Sequence, residues 1–241
     1  MTDAELNFTP PPWPHNSKPA AYELVAFQLR TAILTGFYRP GDALKRKTIA
    51  KLLGVSPTPV REAMRTLEAE GLLRITPQLT ALVDVVHLDE PRELLAATLI
   101  LETYAARELA ARGRDIGELE SLQRSMRELV ADPSPGGKVR FVDLDVAFHR
   151  GIARLAGLAN VELLLGRLRN RTRILVPLDN LDEERRAVVL DEHEAVLSAL
   201  RSRDPAAVAD AVRMHVVNRA GRWFKGDVDY LRTLEIYDPR T

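Results

Sequence analysis

Beyond His87 the apolar residues of this chain recur at helical spacing almost without a break, from Glu90 to Phe224. A run of that length and period leaves room for little but packed helices. Punctuation divides it. Gly113 ends the first segment, and Asp115 with Glu118 reads as a capping box opening the second. Asp132-Pro133-Ser134-Pro135-Gly136-Gly137 breaks the chain again, Asn160 reads as another cap, and Pro177 interrupts near that helix's end. Asp204-Pro205 opens the last helix. Six helices joined by short connections predict an antiparallel bundle over residues 88–225.

Ahead of His87 the elements are short. Leu24, Phe27, Ile33 and Leu34 predict a helix over Ala20–Leu34, ended by Gly36 and followed by the turn Pro40-Gly41. Lys47–Leu53 predicts a second helix, stopped by Gly54, and the third ends at Gly71. Leu72–Ile75 and Leu82–Val86 then read as two strands around Thr76-Pro77-Gln78. Three short helices and a hairpin, in that order, predict a winged helix-turn-helix over residues 20–87. The fold class is mainly α, this domain preceding the six-helix bundle. Residues 1–19, with Pro10, Pro11, Pro12 and Pro14, are expected to form a flexible arm, and residues 226–241 a tail.

Lysine plus arginine balances aspartate plus glutamate at 34 each, so any contact with a polyanion must be local. Cysteine is absent, which excludes disulfides and thiolate metal sites. The amino terminus lacks a signal peptide's basic start and apolar run, and Glu102 stops the apolar stretch Leu94–Leu101 well short of a membrane span. A cytoplasmic protein with no membrane partner is expected.

The third helix lies in GVSPTPVREAMRTLEAEG, residues 54–71. Thr58 suits the N-cap and Pro59 the first helical position. Val60, Met64 and Leu67 form an apolar face, opposite Arg61 and Arg65 one turn apart. Such a face is either ordinary solvated surface, with Glu62, Glu68 and Glu70 balancing the arginines, or a surface for something negative. The stretch AKLLGVSPTPVREAMRTLEAEGLL, with Phe37-Tyr38-Arg39-Pro40-Gly41 before it, resembles the DNA-binding domain of GntR-type bacterial transcription regulators. That resemblance covers residues 21–86 and implies a recognition helix in a major groove. Arg61 and Arg65 would then read guanine or grip phosphate, Ser56 and Thr58 would meet phosphate at the helix N-terminus, and Lys45, Arg46 and Lys47 would add a local basic patch. The chain departs from the family at Pro57, where an arginine is usual, and at the wing tip Pro77-Gln78-Leu79-Thr80, where glycine is usual.

In the bundle, Asp145 and His149 stand one turn apart in DLDVAFH beside the stripe Leu144, Phe148 and Ile152. His193 lies within Val189, Val196, Leu197 and Leu200, and His215 continues Val208 and Val212. Three imidazoles and a carboxylate thus point inward from three helices. Each alone reads as a bonded core residue; together they offer a divalent ion what it needs. The domain resembles the FadR C-terminal (FCD) ligand-sensing bundle, and the likeness implies Asp145, His149, His193 and His215 as metal ligands; the chemistry of the set, not the likeness, makes zinc the expected ion, with nickel or manganese as alternatives. It also implies a small organic acid as effector. Thr98 occupies the position of the family's usual effector-binding arginine, four residues before Glu102. Arg169, Arg173 and Asn218 are the substitute candidates beside Thr98 itself.

The expectation is a homodimeric, ligand-responsive regulator, a repressor on family grounds, binding a pseudo-palindromic double-stranded operator. Two rivals stand. One is a metal-dependent hydrolase with an appended DNA-binding domain, the metal activating water. The other is a regulator whose histidines are structural and whose ligand is not metal-bound.

Overall fold

The computed structural model describes residues 19–77, 80–85, 90–174 and 178–223. The arm before Pro19, the wing-tip residues Gln78 and Leu79, Pro177 and the tail beyond Trp223 lie outside them, as does the predicted domain boundary at 87/88.

The front domain comprises α1 (Ala21–Leu34), β1 (Ala43–Leu44), α2 (Arg46–Leu53), α3 (Pro57–Ala69), β2 (Leu73–Ile75) and β3 (Ala81–Val83). The strands form an antiparallel sheet in the order β1-β3-β2, with Leu73 opposite Val83 and Ala43 opposite Leu82. The two-residue strand β1 was not expected: it is too short to alternate visibly. Helix α3 buries Val60, Ala63, Met64 and Leu67, the i, i+3, i+4, i+7 stripe that seats it on the domain.

Three helix starts differ from expectation. Ser56 is the N-cap of α3, without a side-chain bond, and Pro57 takes the first helical position. Thr58 therefore lies inside the first turn. Pro59 at the third position is tolerated because the first four N–H groups have no intrahelical acceptor to lose. Likewise Ile116, not Asp115, caps the second bundle helix. Asp115 accepts a bond from the Gly117 N–H, and Glu118 is turned outward onto Arg154. Asn160 falls within its helix, which opens at Ala159.

Six helices form the bundle: α4 (Glu90–Arg112), α5 (Gly117–Glu128), α6 (Pro135–Leu155), α7 (Ala159–Ile174), α8 (Glu183–Ser202) and α9 (Pro205–Trp223), with a short 3-10 helix at Leu178–Asn180. Ser134 caps α6 by accepting from the Gly137 N–H at 3.0 Å, and Asp204 accepts from the Ala206 and Ala207 N–H groups at the head of α9. Helix α4 is central, packing on α6, α7, α8 and α9. Leu99, Ala106, Phe148, Ile152, Val196, Val212 and Val216 lie in the core around it.

The two domains share a core. Phe27, Leu34, Val60 and Leu67 of the front domain belong to one buried cluster with Met126, Val139, Phe141, Leu178, Leu181 and Val189 of the bundle. Polar contacts reinforce the junction. While Arg30 grips Glu70 through two hydrogen bonds within the front domain, the Arg167 Nε–H donates across it to the Ala69 carbonyl at 3.0 Å and Arg171 pairs with Asp84 at 3.3 Å. Gly71 sits between them with φ +78, and a Cβ there would lie 3.4 Å from Arg171 Cγ. Gly71→Ala is expected to lower unfolding free energy by about 1–2 kcal/mol from the left-handed backbone alone, as read by urea titration. An unchanged midpoint would mean that the turn relaxes freely.

Candidate metal centre and nucleic-acid interface

The outer face of the front domain carries Lys45, Arg46, Lys47, Ser56, Thr58, Arg61 and Arg65, all exposed. The first three stand at the start of α2, the other four at the start and along the polar side of α3. The acidic residues that could have neutralised the two arginines are largely engaged elsewhere. Glu70 pairs with Arg30, and Glu68 accepts the Ile75 N–H at 3.0 Å. Arg61 and Arg65 form no ion pair with any described residue, so the face presents uncompensated positive charge on a helix backed by a fully packed stripe.

Inside the bundle, α6, α8 and α9 bring Asp145, His149, His193 and His215 together: one ligand atom from each lies within 4.8 Å of every other. The three histidines are buried, and Asp145 retains 15% side-chain exposure. Phe148 stacks flat on His193, ring centroids 4.1 Å apart, and holds that ring's plane.

The hydrogen bonds set which nitrogen is free. His149 Nδ1 lies 3.3 Å from Glu102 Oε2, and His215 Nδ1 lies 3.0 Å from Glu192 Oε2. A carboxylate only accepts, so each Nδ1 carries a proton, and in the neutral ring the lone pair is left on Nε2. By the same rule His193 Nε2, 3.2 Å from His149 Nε2 and 3.3 Å from Asp145 Oδ1, carries a proton while its Nδ1 is buried with no partner, and a bound ion would take that proton's place. His215 Nε2 is buried with no hydrogen-bond partner, an orphan of the kind that native interiors rarely leave without a purpose. Burial pushes His193 down to about 4 and His215 down to about 3, so both are neutral at pH 7.

Around these donors lies a shell of ion pairs. Arg169, on α7, reaches Glu102 Oε2 through Nη2 at 2.8 Å and Asp145 Oδ2 through Nη1 at 3.1 Å. Asp145 therefore divides its oxygens: Oδ1 faces the imidazoles and Oδ2 faces the guanidinium. Burial would raise the carboxyls of Glu102 and Asp145; Arg169 and the histidines more than offset it and hold both well below the usual carboxylate range. Arg222 binds Glu192 at 2.6 and 2.8 Å. Burial raises that carboxyl too, but the bonds from Arg222 and His215 bring it to about 2.

The donor set fits a divalent ion: three imidazoles and one oxygen of an ionised carboxylate, two of the imidazoles backed by carboxylates. It does not fit the hydrolase reading well. Glu192, which flanks His193 in sequence, is committed to Arg222 and His215 and has no freedom to act as a base.

The effector candidates fall into different situations. Thr98 is buried and donates its hydroxyl to the Leu94 carbonyl at 2.7 Å. Arg169, an effector candidate from the sequence, is 1% exposed and bound to two carboxylates. Arg173 pairs with Asp143 at 2.9 Å. Asn218 is half-buried on α9. The neighbouring residue, Arg219, was not among the candidates. It lines a cavity with Asp145, and its hydrogen bond runs to the Thr172 hydroxyl at 3.2 Å. Also missed was the Glu102–Arg169 pair, although Glu102 does continue the buried stripe of Leu95 and Leu99 and a carboxylate there demands a buried partner.

Comparison with known proteins agrees with both halves of this description. Residues 21–83 match the model for bacterial regulatory proteins of the gntR family, and residues 93–218 match the FCD domain. The chain is 28% identical over 210 residues to an uncharacterized HTH-type transcriptional regulator in an unstable DNA locus of Streptomyces ambofaciens, covering 80% of each. It is 26% identical over 226 residues to the gluconate operon transcriptional repressor of Bacillus subtilis, covering 89% of each. Among solved structures, E. coli McbR/YncC superposes with a TM-score of 0.67 at 19% identity, over 85% of this chain and 97% of that one. No described helix is long and apolar enough to cross a membrane. With a winged helix-turn-helix in front and an FCD effector domain behind, the chain belongs to the GntR family of DNA-binding transcription regulators.

Proposed function

We propose that this regulator is a repressor of the FadR type whose FCD domain holds one divalent metal ion, zinc in the first instance, and responds to a small organic acid. The observation that carries the reading is the convergence of Asp145 Oδ1 with three imidazoles, His215 Nε2 among them with no other partner. Asp145, His149, His193 and His215 would be the ligands. The ion, when bound, would offer an effector carboxylate an open coordination position. Glu102 and Glu192 keep His149 and His215 in the ligating tautomer, and Arg169 keeps Asp145 from turning both oxygens inward.

Binding to a pseudo-palindromic operator requires two copies of the front domain. Support for a homodimer comes from the bundle surface, where Ile100 and Tyr104 stand exposed one turn apart on α4, and Leu163 and Leu164 are exposed on α7. Arg61 and Arg65 would read the major groove, with Lys45, Arg46, Lys47, Ser56 and Thr58 on the phosphates.

Purified without added metal or chelator, the protein is expected to carry about one divalent ion per chain by elemental analysis. Loading at a hundredfold excess over Kd would stabilise it by about 2.7 kcal/mol, visible as a rise in melting temperature that chelation reverses. Asp145→Ala and His215→Ala should each abolish both signals. A protein that retains no metal after soaking and washing, and melts identically with chelator, would leave the histidines as structural core residues.

A further inference from the structure

We infer that Arg167 and Arg171, on the outer face of α7, are positioning residues for the recognition helix, and that they fix the half-site spacing this regulator accepts in its operator. The inference rests on the reading of the chain as a homodimer on a two-part operator.

Helix α7 contains Gly166-Arg167-Leu168-Arg169-Asn170-Arg171-Thr172-Arg173, with an arginine at every second position from Arg167. At about 3.6 residues per turn, Arg167 and Arg171 share one face and Arg169 and Arg173 the opposite one. The two pairs have different partners. Arg169 and Arg173 turn inward and lock α7 to α4 and α6, the first through Glu102 and Asp145, the second through Asp143. Arg167 and Arg171 turn to the front domain and meet it where α3 ends.

That end of α3 is completed from the other domain. The last four carbonyls of a helix have no intrahelical donor. In α3, those of Thr66, Leu67 and Glu68 accept from the N–H groups of Glu70, Leu72 and Gly71. The Ala69 carbonyl is the fourth, and its donor is the Arg167 Nε–H of the bundle, at 3.0 Å. A guanidinium there also complements the negative end of the helix dipole. Beside it, Gly71 brings the turn close to the backbone of α7: a Cβ at Gly71 would lie 3.7 Å from the Arg167 carbonyl oxygen. Arg171 reaches a second segment, pairing at 3.3 Å with Asp84, the residue after β3. Contacts on two separate segments fix the orientation of the front domain as well as its distance.

Both contacts are open to solvent, where single ion pairs contribute little to stability. The shared apolar core holds the domains together; the two arginines set the angle at which α3 leaves the bundle. In a dimer, the paired bundles fix the separation of their α7 helices, and each α7 aims one α3. Two half-sites are then read together only at a matching spacing, because each added base pair turns one half-site by about 35° and moves it by about 3.4 Å.

The test uses a duplex enriched from a random pool by the full-length protein, remade with one base pair inserted between its halves, or with one half scrambled. By fluorescence anisotropy, the parent is expected to bind the inserted duplex about tenfold more weakly than the enriched one. Arg167→Ala combined with Arg171→Ala should lose most of that penalty, at unchanged affinity for the half-scrambled duplex and unchanged melting temperature. Arg167→Lys with Arg171→Lys should restore part of it, since an ammonium can still donate to both acceptors. Asp84→Asn, made from the other side of the contact, should reduce it as well. A double alanine variant that also loses the half-scrambled duplex overturns the inference, because α3 itself would then be disturbed. Sedimentation separates the two readings. A monomeric parent overturns the dimeric reading and the spacing inference with it. A dimeric parent indifferent to the insertion, or a dimeric double variant as discriminating as the parent, overturns the inference alone.

Discussion

Arg61→Ala combined with Arg65→Ala is expected to weaken specific operator binding by about 2–6 kcal/mol, since each bidentate base contact is worth about 1–3 kcal/mol. Both guanidiniums are exposed, both are free of ion pairs with described residues, and both project from a helix whose opposite face is packed by Val60, Ala63, Met64 and Leu67. No fold energy is at stake in their removal, so the loss is one of recognition, and two such losses on separate bases add. The comparison variant is Lys45→Ala, at the mouth of α2. It should weaken all sequences alike and reduce the salt slope by about one, as a phosphate contact does. Fluorescence anisotropy against a specific and a scrambled duplex at several salt concentrations measures both. If the double variant binds the specific duplex as the parent does, α3 is not the reader.

Glu102→Gln is expected to cost about 3–5 kcal/mol of stability, a large share of the 5–15 kcal/mol typical of folded proteins. The carboxylate is 1% exposed, receives two bonds from Arg169 and faces His149 Nδ1 at 3.3 Å. An amide of the same shape leaves Arg169 with Asp145 as its one anion, buried on both sides. The lost partner also frees the His149 ring and draws Asp145 toward the guanidinium, so affinity for the proposed metal should fall about 10–100-fold. Denaturant titration reads the first effect and a competitive chelator the second. A variant that melts with the parent and holds metal as tightly would show that Glu102 contributes neither charge balance nor ring orientation.

How much of this could be read from the chain depends on whether the information was local. Asp145 and His149 are one turn apart, and His193 and His215 each interrupt an apolar stripe, so inward orientation of all four followed from periodicity. Their convergence needed the bundle. Arg169 and Glu102 are 67 residues apart, and no local pattern pairs them; the only local sign was a carboxylate standing where the α4 stripe calls for an apolar side chain. Arg219 shows a finer limit. Asn218 was one of four candidates from the sequence, and which of two adjacent residues lines the cavity depends on the rotation of α9, which is set by packing against α4 and α8 rather than by its own residues. The start of α3 shifted for a related reason. Two prolines, Pro57 and Pro59, both suit a first turn, and intrinsic preference alone does not rank them.

Helix-turn-helix domains and effector domains are often pictured as interchangeable cassettes. The junction seen here argues otherwise for this chain. Arg30 and Glu70 brace α1 against α3, Arg167 and Arg171 tie α7 to Ala69 and Asp84, and Leu34 lies in the same buried cluster as Phe141 and Leu178. A front domain borrowed from a relative would bring its own residues to every one of those positions. A working chimera would therefore have to be cut not in the linker before α4 but through the shared core, carrying the tip of α1 and the turn at Gly71 along with the bundle they fit. Modularity in this architecture stops at the surface where the two halves were moulded to each other.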